Sequence, residues 1–181
     1  MLFASLLTLV VASTALASPL QGRQASNTNV AINQVVDALD ESIHINVPNI
    51  LTLQASHQAN DNTIGEQIND LTTVFKVAAQ DISNISVSLG STTVVPTNDD
   101  ISITFATVLS LVASGLSGLT AEIVPSMVSM VQTLDPQVAA ASLALNTTLP
   151  GSLKLVHIMM LDARQFLIAE GMTQTVAAIG F

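Results

Sequence analysis

The apolar residues of this chain recur at intervals of three and four, which is the period of one face of an α-helix. The longest regular series lies between residues 64 and 89. Its members are Ile64, Ile68, Leu71, Phe75, Ala78, Ile82, Ile85 and Leu89. No segment alternates apolar and polar residues for long enough to indicate a half-buried strand. The pattern therefore predicts an all-α fold, a helical bundle.

Proline and helix-capping residues divide this pattern into separate segments. A first helix is predicted over residues 29–47, because Pro48 lacks an amide donor, although a proline also fits at a kink or at the first position of a helix. The apolar pattern of residues 49–89 is expected to break at residues 60–62, whose side chains suit a helix cap. Further helices are predicted from Asn98 to Leu116, from Thr120 to Leu134, over residues 137–145, and from Ser152 to residue 169. The prediction is a single antiparallel bundle of about five to six helices.

The N-terminal segment has the pattern of a secretory signal. Residues 1–17 include 13 apolar residues and no charge, and they end in Ala15, Leu16 and Ala17, a small-x-small cleavage pattern. The alternative is a buried N-terminal helix. Residues 18–28 are polar and predict a flexible leader, so residues 29–181 form the predicted bundle domain. Export predicts a secreted protein, either extracellular or in the cell wall.

The chain has no cysteine, so after export its stability must come from core packing rather than from disulfides. This excludes the disulfide-rich plant lipid-transfer proteins and the hydrophobins. Two N-glycosylation sequons are present, at Asn84 and Asn146, and each is either used or unused.

Charge is scarce and mostly negative. Charged residues make up 9% of the chain and apolar residues 49%, and the net charge is −9. Nucleic acid is not an expected partner, because four Lys and Arg residues supply no basic patch. After the signal, no uninterrupted apolar run reaches the ~18 residues of a transmembrane segment.

Catalytic and metal-binding motifs are missing from the sequence. The three histidines, His44, His57 and His157, are far apart and have no metal-ligand spacing. Gly115 and Gly118 flank Leu116 and Ser117, which is one residue short of the Gly-x-Ser-x-Gly spacing of a nucleophile elbow. We therefore expect neither an enzyme nor a bound metal or cofactor.

Surplus aliphatic residues and flexible methionines raise the possibility of an apolar cavity between the helices. A fully packed core is the alternative that the sequence leaves open. His57 lies on the apolar face of the predicted second helix, where it meets either a ligand carboxylate or solvent. The candidate lining residues are Ile68, Leu71, Phe75, Phe105, Val112, Met127, Met130, Met159 and Phe166.

Three segments of this weakly charged, cysteine-free chain carry a resemblance to a known family. They are residues 35–43 (VVDALDESI), 51–59 (LTLQASHQA) and 94–112 (VVPTNDDISITFATVLSLV). In these segments the chain resembles the fungal hydrophobic surface-binding proteins, which include the cell-wall galactomannoproteins. The likeness spans about residues 29–170. It departs at Ser56, where the family often has Ile before the histidine, and at residues 134–136, which replace a pair of lysines.

The resemblance implies a secreted, non-enzymatic fungal protein that adsorbs to hydrophobic surfaces or takes a fatty acid between its helices. Some members of the family are thought to help recruit secreted hydrolases to waxy or polymeric substrates. No residue-level binding motif is transferred by the resemblance. The alternative function is that of a structural or interaction glycoprotein of the fungal cell wall with no lipid cavity.

Overall fold

Four long helices and three short ones make up residues 26–181, the part of the chain that the computed structural model describes. The all-α prediction is confirmed, with more helices than the five to six expected. The predicted signal, and the predicted leader as far as residue 25, lie outside the described residues. The helices are α1 (Asn29–Ala55), α2 (Asp61–Asn84), α3 (Asn98–Leu116), α4 (Met127–Thr148), α5 (Ser152–Met159), α6 (Arg164–Ala169) and α7 (Thr173–Ala178).

The long helices pack side by side in the order α3, α1, α2, α4, and the short helices fill the space between α3 and α4. Consecutive long helices run in opposite directions. The neighbours α1 and α3 are nevertheless parallel. Their C-terminal ends lie side by side, since the Gln54 side chain near the end of α1 donates to the carbonyl of Gly115 near the end of α3. In the same way Thr148 of α4 donates to the carbonyl of Ile82 near the end of α2. The bundle therefore contains parallel as well as antiparallel contacts.

The turn between α1 and α2 lies where the cap residues predict it. Asn60 accepts hydrogen bonds from the amides of Asn62 and Thr63, and the Thr63 hydroxyl accepts from the amide of Asn60. These bonds satisfy amides that the first turn of α2 leaves without helical partners. Residues 49–55, however, continue α1 and do not belong to the second helix.

The helices predicted to end before Pro48 and before Pro136 continue through both prolines. Pro48 is within α1 and Pro136 within α4. A proline deprives the carbonyl four residues earlier of its donor. Those earlier residues are His44 and Gln132, and both are exposed, so water can satisfy their carbonyls. Residues 137–145 are consequently part of α4 and not a separate helix.

Helix α3 begins at Asn98, as predicted, and Thr97 is its N-cap. The Thr97 hydroxyl accepts from the amide of Asp100, and the Asp100 carboxylate accepts from the amide of Thr97. Hydrogen bonds from the amide and the hydroxyl of Thr97 hold the pKa of Asp100 below its ordinary value. Among the helices of residues 26–181, α3 is the one that is long and apolar enough to cross a membrane, but 56% of its most apolar 18-residue stretch is buried within the bundle. That burial is typical of a core helix.

A buried amide joins three segments at one end of the bundle. The Asn29 side chain is fully buried, and its nitrogen donates to the Pro96 carbonyl and to Asn98 Oδ1. Its oxygen accepts from the Ser88 hydroxyl at 2.7 Å. We call Asn29, Ser88 and Asn98 the polar cluster. It fixes the start of α1, the loop after α2 and the start of α3 relative to one another.

A second polar contact attaches the C-terminal helix to α4. Asp135 is buried, and its carboxylate accepts hydrogen bonds from the amides of Gln174 and Thr175, each at 2.8 Å. The Thr175 hydroxyl donates to the same carboxylate at 2.7 Å. Asp135 thus caps the N-terminus of α7 from a distant part of the sequence.

Candidate functional site

Most of the residues predicted to line a cavity lie in the packed core. Six of these predicted residues belong to one continuous apolar cluster, in which Phe75 and Phe105 are fully buried. None of them lines either of the two grooves described below. The group comprises Ile68, Leu71, Phe75, Phe105, Val112 and Met127. Met130 is half-buried at the edge of this cluster.

The prediction was wrong in placing two C-terminal residues on a buried face. Met159 is 42% exposed and Phe166 41% exposed. The helix that starts at Ser152 ends at Met159, and a turn separates it from α6. The turn changes the register of the apolar pattern, so that Met160 and Leu167 are buried in their place.

The expected position of His57 was also wrong. It lies in the turn after α1, is exposed, and has a left-handed backbone with φ 56°. Histidine is one of the residues that adopts this conformation more often than most. His57 therefore belongs to the connection between α1 and α2 rather than to an apolar helix face.

A groove lies on the surface between α1 and α2, and we call it the α1–α2 groove. Its volume is about 390 Å³, and small side chains, among them Ala38 and Ala78, keep it open. Its floor includes Leu39 and Ala78, which are 2% and 4% exposed. The aliphatic lining residues are Ala31, Val35, Ala38 and Leu39 from α1, and Val74, Val77 and Ala78 from α2.

Polar residues form the remainder of the lining of this groove. Gln34 and Ser42 come from α1, and Thr73 and Asp81 come from α2. Asp81 is the sole charged residue of the lining. The groove therefore combines aliphatic walls with negative charge on its rim, which disfavours an anionic group there.

The sequence contains one signal for this groove that the periodicity alone did not reveal. Ala31, Ala38 and Ala78 are small residues on helix faces that meet, whereas the neighbouring core positions carry larger apolar residues. Only the pairing of α1 with α2 brings these alanines together. Ala78 was recognised as a position of the apolar series, but its partners on α1 were not.

The short C-terminal helices present an apolar area of a different kind. Five large apolar side chains between residues 158 and 168 are more than two-fifths exposed. They lie on α5, on α6 and in the turn between them, and we call them the α5–α6 patch. Its members are Ile158, Met159, Leu161, Phe166 and Ile168.

Both asparagines of the predicted sequons lie on the surface. Asn84 is the last residue of α2, and Asn146 lies in the last turn of α4. Each side chain is accessible to a glycan. Within residues 26–181 no three His, Cys, Asp or Glu side chains are arranged to hold a metal ion.

Neither the known protein families nor the curated proteins supply a relative that indicates a function for this chain. No family model matches this chain, and no curated protein matches it.

Proposed function

We propose that the protein is a secreted, non-catalytic fungal protein that binds an apolar chain in the α1–α2 groove. The observation that carries this proposal is the groove itself. Its volume of about 390 Å³ lies within the range of ~300–1,000 Å³ that is usual for small-ligand sites. Its aliphatic walls offer the contacts that an alkyl chain makes, at ~25 cal/mol per Å² of apolar area buried.

The charge around the groove favours a neutral ligand. Asp81 lies on the rim, and the lining contains no Lys, Arg or His. A carboxylate head group at this rim would meet repulsion and no positive partner. Alkanes, long-chain alcohols and esters of the kind found in waxes suit the groove better than a free fatty-acid anion does.

A second candidate function is adsorption to hydrophobic surfaces, and the α5–α6 patch favours it. A solid or oily surface requires exposed apolar side chains rather than an enclosed site. Five such side chains lie close together in sequence on one short segment. A charged fraction of 9% leaves few groups that would lose hydration on adsorption. An adsorbed protein of this kind would also be suited to bringing secreted hydrolases to a waxy or polymeric substrate.

Native mass spectrometry of the protein, collected from its natural secretion route, tests the first proposal. We expect a one-to-one complex with a neutral lipid, identified by extraction, and uptake of dodecanol by lipid-free protein. Persistent absence of lipid, with no uptake of dodecanol, would instead favour a wall glycoprotein whose contacts are made by glycans and polar helix faces.

Adsorption is tested separately, on alkyl-terminated and hydroxyl-terminated surfaces in a quartz crystal microbalance. We expect strong binding to the alkyl surface alone. The double variant Ile158→Ser and Ile168→Ser, in which both changed residues are exposed, should bind less without loss of helix in circular dichroism. Equal adsorption of variant and parent would remove the α5–α6 patch from the proposal.

A further inference from the structure

A second groove lies between α5 and α7, and we call it the α5–α7 groove. Its volume is about 630 Å³. Its apolar lining includes Leu153, Ile158 and Ile179. Two lining residues, Lys154 and His157, are able to carry positive charge, and the lining contains no Asp or Glu. This groove therefore differs in charge from the α1–α2 groove, whose rim is acidic.

The imidazole of His157 is held in a fixed orientation. Its Nδ1 lies 3.1 Å from the carbonyl oxygen of Ile179, and because a carbonyl only accepts, Nδ1 is the donor. The ring also stacks on Phe181, with 4.1 Å between the ring centroids. These two contacts orient the ring and leave Nε2 for another partner.

Positive charge is concentrated around this groove although the protein as a whole is acidic. The described residues include three Lys or Arg side chains, those of Lys76, Lys154 and Arg164. The Arg164 guanidinium lies 4.8 Å from the centre of the Phe181 ring on which His157 stacks. Within residues 26–181 the one close contact between an acidic and a basic side chain joins Asp40 and His44, so no carboxylate of these residues lies within 4.0 Å of the charged nitrogens of Lys154 or Arg164.

We infer that the α5–α7 groove binds an anionic amphiphile, a ligand with one alkyl chain and a small anionic head group. The head group pairs with the ammonium of Lys154, and with the Nε2–H of His157 when that imidazole carries both protons; the alkyl chain lies along the apolar lining. Carboxylate and phosphate heads share this chemistry. This site is separate from the α1–α2 groove and adds a second class of ligand to the proposed function, since the rim with Asp81 repels such a head group.

Isothermal titration with three ligands of equal chain length tests the inference. The ligands are dodecanoate, dodecyl phosphate and dodecanol, each below its aggregation concentration. The secreted protein is measured before and after enzymatic removal of N-linked glycans, because Asn146 lies on the rim of the α5–α7 groove. Tighter binding of one anion than of the other identifies the preferred head group.

Substitution of Lys154 tests whether its positive charge binds the anionic head group. Lys154→Gln should weaken both anions by about fivefold to tenfold and leave dodecanol unchanged, and Lys154→Arg should restore anion binding. Lys76→Gln is the matched control, because Lys76 lies in a different groove, between α2 and α4. Equal anion affinity in Lys154→Gln and the parent protein would overturn the inference.

Two groove-filling variants separate this inference from the proposed function. Ala178→Leu, in the lining of the α5–α7 groove, should weaken the anions, and Ala78→Leu should weaken dodecanol alone. If Ala78→Leu weakens the anions and Ala178→Leu does not, the α5–α7 site is wrong while the α1–α2 groove remains. If Ala78→Leu leaves dodecanol binding intact, the proposed function fails and the anion site is judged on Lys154→Gln.

Discussion

Substitution of Ala78 by leucine probes whether the α1–α2 groove receives an apolar ligand. Ala78 is 4% exposed and forms part of the groove floor. A leucine adds three carbons, which would project into a space of about 390 Å³ instead of into a packed interior. The same change in a filled core would force neighbouring atoms apart.

The two situations differ in the sign of the stability change. In the groove the added carbons gain contact with the aliphatic walls, so the free energy of unfolding should stay constant or rise by up to about 2 kcal/mol. In a packed core the same substitution costs ~1–3 kcal/mol. Chemical unfolding followed by circular dichroism measures this difference.

The effect on ligand binding follows from the same three carbons. They occupy the space of about three ligand methylenes, each worth ~0.8 kcal/mol when buried. The loss of about 2.4 kcal/mol corresponds to roughly 50-fold weaker binding of dodecanol. Titration calorimetry, or displacement of a fluorescent long-chain alcohol, is sensitive enough to detect this change.

Ala79→Leu is the matched control for this experiment. Ala79 is the next residue of α2, and it lines a groove towards α4 together with Lys76 and Gln137. The control should leave dodecanol affinity unchanged. A destabilised Ala78→Leu protein with unaltered dodecanol binding would refute the reasoning, because it would place Ala78 in packed core and the ligand elsewhere.

Three further changes test the fold and its modification. Asp135→Ala should lower the free energy of unfolding by about 2–4 kcal/mol, because two α7 amides and a hydroxyl lose their acceptor; Asp135→Asn should lose less, and a loss below ~1 kcal/mol would contradict the assigned role of this carboxylate. Asp100→Asn should be less stable than the parent at neutral pH. Since the pKa of Asp100 is lowered on folding, this stability difference should persist down to the ordinary value of 3.8 and disappear as the pH falls further, through the folded-state pKa; an unfolding series at several pH values measures it. Asn84→Gln and Asn146→Gln should each remove one glycan mass from the secreted protein, and an unchanged mass would show that the sequon is unused.

The sequence predicts the core of α2 correctly because apolar spacing within one helix is local information. Ile64, Ile68, Leu71, Phe75 and Ile82 are all buried, as their intervals of three and four require. The turn at Asn60 was predicted for the same reason, since a cap acts on the amides of the next three residues.

The prolines show where local information is insufficient. Whether Pro48 ends a helix depends on whether the carbonyl of His44 faces water, and this is set by the packing of α1 against α2 and α3. The spacing around Pro48 does not contain that information. The same holds for Pro136, where the expected break was replaced by a continuous α4.

Grooves and charge clusters depend on contacts between distant segments and were not predicted. Lys154 and His157 are three residues apart in sequence, but their relation to Ile179 and Phe181 follows from the return of α7 towards α5. Asp135 directly follows the predicted helix end at Leu134, whereas its hydrogen-bond partners are about 40 residues away, at Gln174 and Thr175. The spacing of apolar residues within one segment carries no information about such distant partners.

The polar cluster around Asn29 affects how the proposed attachment to oil or wax would occur. An apolar interface can replace the aliphatic contacts of the core, so spreading of the helices over it would sacrifice little hydrophobic energy. The same interface supplies no donor or acceptor for the Asn29 amide, the Ser88 hydroxyl or Asn98. Each group left unpaired there would cost ~1–3 kcal/mol. The cluster therefore opposes interfacial denaturation at the end of the bundle where α1 and α3 begin, and it favours attachment of an intact fold over a spread film.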